Sequence, residues 1–180
     1  MRHLLRILVV SLVIPSAAVI AEENPLTTYQ KGLSSGIQKI VLASAELMPE
    51  EKYGFRPTED VRTFGQLVGH VAESQYYFCA SVKGEKNPGL RIEKTATTKA
   101  ELTAALGAAF AYCNEAYAGL TDAAGAERVT FMGSESPKLG VLSVNNVHTA
   151  LHYGNLIVYL RLNGIVPPSS DPELMKSLRK

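Results

Sequence analysis

The chain has 180 residues, of which 46% are hydrophobic and 19% charged, a balance that supports a packed core and excludes general disorder. A formal net charge of +1 excludes a broad basic face for nucleic acid, and the absence of Trp with 7% aromatics weakens the case for a stacking platform. Two cysteines are too few for a disulfide scaffold or a four-thiolate zinc site.

Residues 1–21 read as a signal peptide. Arg2 and Arg6 provide a positive start, Ile7 to Ile14 is apolar, and cleavage is expected after Ala21, ahead of Glu22-Glu23. Pro15 and Ser16 interrupt a run already short for a membrane span, and no Cys follows it to carry a lipid. The expected product is an exported protein, periplasmic or secreted, with residues 22–180 forming a single domain. No other stretch could cross a bilayer, so no membrane association is expected once the signal is removed.

Four helical runs follow. The first spans about Leu26 to Met48 and stops at Pro49. The second opens with Thr63 and Gln66 at capping-box spacing and runs to about Val82, before Gly84 and Asn87-Pro88-Gly89. Thr98 and Glu101 repeat the device for a third run, to about Leu120. The fourth is expected to open at Ser136-Pro137 and to end at Asn163-Gly164, with Pro167-Pro168 preventing continuation. Only Arg128 to Met132 reads as extended, and one strand cannot form a sheet. The expected fold is all-α, a four-helix bundle whose long loops permit a crossover.

Chemistry concentrates in three histidines. His148 and His152 are four apart and so project from one helix face, with Val141, Val144, Leu151 and Val158 suggesting that this face looks inward. His70, on the stripe Thr63, Leu67, His70, Ser74, Tyr77 of the second helix, is a candidate third ligand. Three neutral imidazoles suit zinc, nickel, iron, manganese or copper, and positions left open would admit water or substrate, as Lewis-acid catalysis requires. The spacing alone is a weak motif, and core or surface histidines remain its commoner explanation. Thr149 stands where a zinc-protease helix would carry Glu, which excludes that proteolytic chemistry.

The chain resembles the DinB-like family of bacterial metal-binding bundle proteins. The resemblance rests on Tyr53-Gly54-Phe55-Arg56-Pro57-Thr58, on Val61 through His70, and on His148 through Pro168 with its ending Tyr159-Leu160-Arg161-Leu162-Asn163-Gly164. It implies a four-helix bundle with His70, His148 and His152 as ligands to a divalent transition metal. It also implies, for some relatives, thiol-cofactor transferase or isomerase activity. An export signal departs from that pattern, because reduced thiol cofactors are chiefly cytoplasmic.

Around the histidines, Glu73, Asn145 and Asn155 are candidates to orient ligand rings, or else an exposed acid and two surface amides. Tyr77, Tyr153 and Tyr159 are read as core rings or as the edge of a cavity. Cys79 and Cys113 are expected as buried free thiols, since adjacent antiparallel helices would hold them too far apart to bond. An offset between the helices would reverse that expectation. Three functions follow: a metal-dependent hydrolase or transferase acting on an unknown small molecule, a non-catalytic metal or small-ligand binder, and a structural bundle, in one form a homodimer, with a vestigial site.

Overall fold

The computed structural model describes residues 23–178, so the signal peptide expected at 1–21 lies outside the described residues. Four long helices form the bundle: α1 (Pro25–Leu47), α2 (Phe64–Lys83), α4 (Lys99–Tyr117) and α6 (Lys138–Leu162). Two short helices lie in the connections, α3 (Ile92–Thr95) and α5 (Asp122–Ala126), and a third, α7 (Pro172–Leu178), follows α6. Both expected capping boxes are formed. Thr63 accepts from the Gln66 amide and Thr98 from the Glu101 amide, and each partner side chain reaches back to the cap backbone. The α6 terminus is also as expected: Gly164 adopts φ 74°, and the amides of Gly164 and Ile165 donate to the carbonyls of Arg161 and Leu160. Among the described residues, no helix is long and apolar enough to cross a membrane.

Helix direction determines what meets what. Gly65 packs on Leu102 near the start of α2 and α4, and Cys79 joins Cys113 near their ends, so these two helices run parallel. Residues 84–98 therefore cross back along the whole of α2. This corrects the expectation of free thiols. The separation expected for an antiparallel pair does not apply, the Cα atoms are 5.2 Å apart, and the two cysteines form a fully buried disulfide. Helix α6 runs antiparallel to α2, with Tyr159 beside Phe64 and Thr149 beside Gln75.

The opening of the fourth helix also differs from expectation. Ser136 and Pro137 belong to a strand, β2 (Ser134–Pro137), which pairs antiparallel with β1 (Arg128–Phe131). Met132 and Gly133 take positive φ of 50° and 78° in a two-residue turn, the arrangement that matches strand twist. The strand that pairs with β1 is thus the segment in which the sequence suggests a helix cap.

Val41, Phe64, Leu106, Leu156 and Leu160 centre one part of the core, and Phe78, Cys79, Cys113, Tyr117 and Leu142 centre the other. At their boundary, buried Gln75 donates to Thr149 Oγ1 at 2.9 Å and accepts from Asn145 Nδ2 at 2.9 Å. With both ends of the Gln75 amide paired to α6, these bonds hold α2 and α6 in one register, because slippage would strand buried polar atoms without partners. Fixing that register fixes the histidines one turn away.

Candidate metal centre

His70 lies two turns into α2, and His148 and His152 lie mid-way along α6. The antiparallel contact of these helices brings one nitrogen from each ring within 4.8 Å of the other two. His148 Nε2 and His152 Nε2 are 3.1 Å apart, and the His70 ring centroid is 5.3 Å from that of His148 and 4.8 Å from that of His152. Two nitrogens each about 2.0–2.1 Å from one zinc-like ion are separated by about 3 Å, so the donor set fits such a group. All three rings are half-buried.

The inward apolar face expected around this pair is only partly realised. Val141 is buried, but Val144, Leu151 and Val158 are 47%, 66% and 50% exposed. The histidines sit at the boundary of the α6 contact face rather than at its centre, which leaves their site open to solvent on one side.

Electrostatics keep the rings in the ligating state. Burial lowers the pKa of His70, with the nearby Arg62 guanidinium acting in the same direction and the Glu93 and Glu73 carboxylates opposing. Burial, then the neighbouring His70 and Arg62, lower His148. Burial, followed by its neighbours His148, His70 and Arg62, takes His152 down to about 4. At neutral pH the three imidazoles are uncharged, as metal ligation demands.

The crossover supplies a carboxylate that the sequence reading did not single out. Glu93 Oε2 lies 3.5 Å from His70 Nδ1, while Glu93 Oε1 accepts from Arg62 Nε at 3.0 Å. Facing Nδ1 in this way leaves His70 Nε2 for an ion and holds the ring by its other nitrogen. Glu73 in turn accepts the Glu93 backbone N–H at 2.7 Å. It is half-buried, neither an exposed acid nor a direct partner of a histidine. Only the chain reversal at 84–98 places Glu93 here, and no spacing pattern in the sequence encodes that contact. Arg62 lies in the segment that carries the family resemblance, but its place in the site follows from the fold.

The remaining candidates divide. Asn155 combines both readings offered for it: it is exposed, and its Nδ2 is 3.4 Å from His152 Nδ1. Asn145 is buried and turned away from His148, its Nδ2 bonded to Gln75 and 3.2 Å from Cys113 Sγ. Tyr159 is largely buried and donates its hydroxyl to the Arg62 carbonyl at 2.7 Å, whereas buried Tyr153 accepts from the Ser169 amide. Tyr77 is exposed beside Phe131.

Two cavities flank the histidines. One, of about 750 Å³, is lined by Arg62, Glu93, His152, Asn155 and Tyr159 among others. The other, of about 430 Å³, is lined by His70, His148, Glu73, Tyr77, Leu90 and Met132 among others. Volumes of this order accommodate small organic molecules.

The model of the DinB superfamily matches residues 37–156, a span that includes all three histidines. Among solved structures, a DinB-like protein from Bacillus subtilis, YjoA, superposes with a TM-score of 0.64 at 20% identity, covering 76% of this chain and 92% of that one. A DinB-like protein from Bacillus cereus superposes with a TM-score of 0.64 at 15% identity, covering 78% and 90%. At these identities the likeness speaks for the fold. No curated protein matches the chain. A family match over two-thirds of its length, together with the shared bundle, establishes that the chain belongs to the DinB superfamily.

Proposed function

We propose that the protein is an exported metalloenzyme that holds one divalent transition-metal ion through His70, His148 and His152 and acts on a small molecule as a hydrolase or transferase. The observation that carries this reading is the convergence of three neutral, half-buried imidazoles from two helices within 4.8 Å, with His152 on the wall of one cavity and His70 and His148 on the wall of another. Zinc, nickel, iron and manganese all suit the donor set. An ion with three protein ligands supplies Lewis acidity at its open positions.

The chain's own side chains have separable tasks around that ion. Glu93 orients His70 and offsets the Arg62 charge, and Asn155 faces the distal nitrogen of His152. The exposed apolar residues Leu90 and Met132 border the second cavity and offer a surface to the carbon skeleton of a ligand. Export is supported by residues 1–21 and by the Cys79–Cys113 bond, which belongs to an oxidising compartment.

The test compares metal-loaded protein with the same protein stripped by a chelator, on ester, amide and thiol-electrophile substrates. Turnover that needs the ion and disappears in His152→Ala supports the enzyme. Silence in every class, with the ion retained, favours the alternative of a non-catalytic metal or small-ligand binder.

A further inference from the structure

The larger cavity has a charge pattern that the metal ligands do not use. Arg62 spends Nε on Glu93 at 3.0 Å, and among the described residues its terminal NH2 groups meet no protein acceptor. The Arg62 side chain is 43% exposed and stands on the cavity wall with His152 and Asn155. Asp60 and Glu93 share that wall, so its side chains alone carry more negative than positive charge and repel an anion.

A divalent ion reverses the balance. Three neutral imidazoles bring it no negative charge, and the Glu93 carboxylate is already divided between Arg62 and His70. A dication and a guanidinium facing one cavity repel each other unless an anion lies between them. The free edge of Arg62 offers parallel N–H donors, the geometry that grips a carboxylate at two oxygens. Val61 and Val158 on the same wall are 42% and 50% exposed and would be left uncovered by an inorganic ion, whereas a carbon skeleton would bury them.

We infer that the ligand of this site is a small organic acid, its carboxylate held by the terminal NH2 groups of Arg62 beside the ion and its carbon skeleton against Val61 and Val158. The inference rests on the metal reading of the three histidines and names the substrate class that follows from it. Arg62 is then the residue that selects the charged substrate over its neutral analogue.

The test uses full-length zinc-loaded protein, with zinc content measured alongside calorimetric titration of benzoate, benzamide and inorganic phosphate. Benzoate is expected to bind at least about tenfold more tightly than either comparison. Arg62→Gln should abolish that preference while retaining zinc, and Arg62→Lys should keep part of it. Equal binding of benzoate and benzamide, no benzoate binding, phosphate binding as tightly as benzoate, or an unchanged preference in Arg62→Gln would each overturn the organic-acid site. A protein that takes up no zinc removes the metal reading and this inference together. One that takes zinc but ignores ligand charge removes the inference alone.

Discussion

Gly69 and Glu93 touch backbone to backbone. A methyl group on Gly69 would lie 2.7 Å from Glu93 Cα and 2.9 Å from its nitrogen, closer than carbon atoms tolerate. The bare α-carbon next to His70 is therefore what lets the crossover approach α2 and set a carboxylate against the imidazole.

Gly69→Ala should displace α3 and carry Glu93 away from His70. Overpacking of this kind costs about 1–3 kcal/mol. Denaturant unfolding should show that loss, and chelator competition should show weaker zinc binding in the same variant. Normal zinc affinity despite the lost stability would mean that the contact serves packing alone.

Glu93→Gln tests the orienting role without adding bulk. Removing a partner of a ligating histidine typically weakens metal binding about 10–100-fold. The expectation is a loss in that range with the thermal midpoint of the metal-free protein little changed, since Gln keeps the size of Glu and its amide oxygen can still accept from Arg62 Nε. Affinity equal to that of the wild type would remove Glu93 from the site.

The disulfide predicts a different signature. Cys79 and Cys113 are 34 residues apart, and closing a loop of that size stabilises by about 4 kcal/mol in the chain-entropy model. The double Cys→Ser variant should lose stability of this order, roughly 10 °C in Tm for a domain of this length. Because both sulfurs are fully buried, reductant should act on the native protein only at the rate of unfolding. Rapid reduction under native conditions would contradict that burial.

Acid should destabilise the metal-free protein through the histidines. The unfolded rings take up protons near pH 6.5, while the folded His152 resists until about 4 and His70 and His148 also titrate low. Folded pKa values below the unfolded ones mean stability that is full above about pH 6.5 and is lost as pH falls towards 4. Thermal melts of the chelated protein across that window should show the decline, and His152→Gln should flatten it. A midpoint independent of pH there would show that the rings are freely hydrated.

The bundle was legible because its signals are local. Thr63 with Gln66, Thr98 with Glu101, and Asn163-Gly164 each satisfy backbone groups within one turn, so their spacing in sequence is their spacing in space. Helix direction was not legible, because it depends on the path of residues 84–98. The disulfide followed from it, as two helices running parallel bring together cysteines that an antiparallel arrangement would separate. Ser136-Pro137 misled for a related reason: a residue before Pro favours extended backbone as much as it favours a cap, and cross-strand pairing with Arg128 and Val129 decided the matter.

At the site, the histidines were visible as a two-helix pattern, and the structure brings all three together. Their surroundings were not. Asn145 lies three residues before His148 yet serves the core, because the net turn of about 60° between them is toward α2 and α4, where its amide meets Gln75 and Cys113. Glu93 and Arg62 are 31 residues apart and share one hydrogen bond. Periodicity reports which face a residue occupies on its own helix and leaves unsaid which distant loop covers that face.

The most direct measurement is zinc content and affinity of the purified protein beside His70→Ala, His148→Ala and His152→Ala. The wild type should hold one ion per chain. Each substitution should weaken binding at least about 100-fold, exceeding the loss caused by an outer partner such as Glu93. A wild type that binds no divalent ion, or any of the three variants holding zinc as tightly as the parent, would contradict the account.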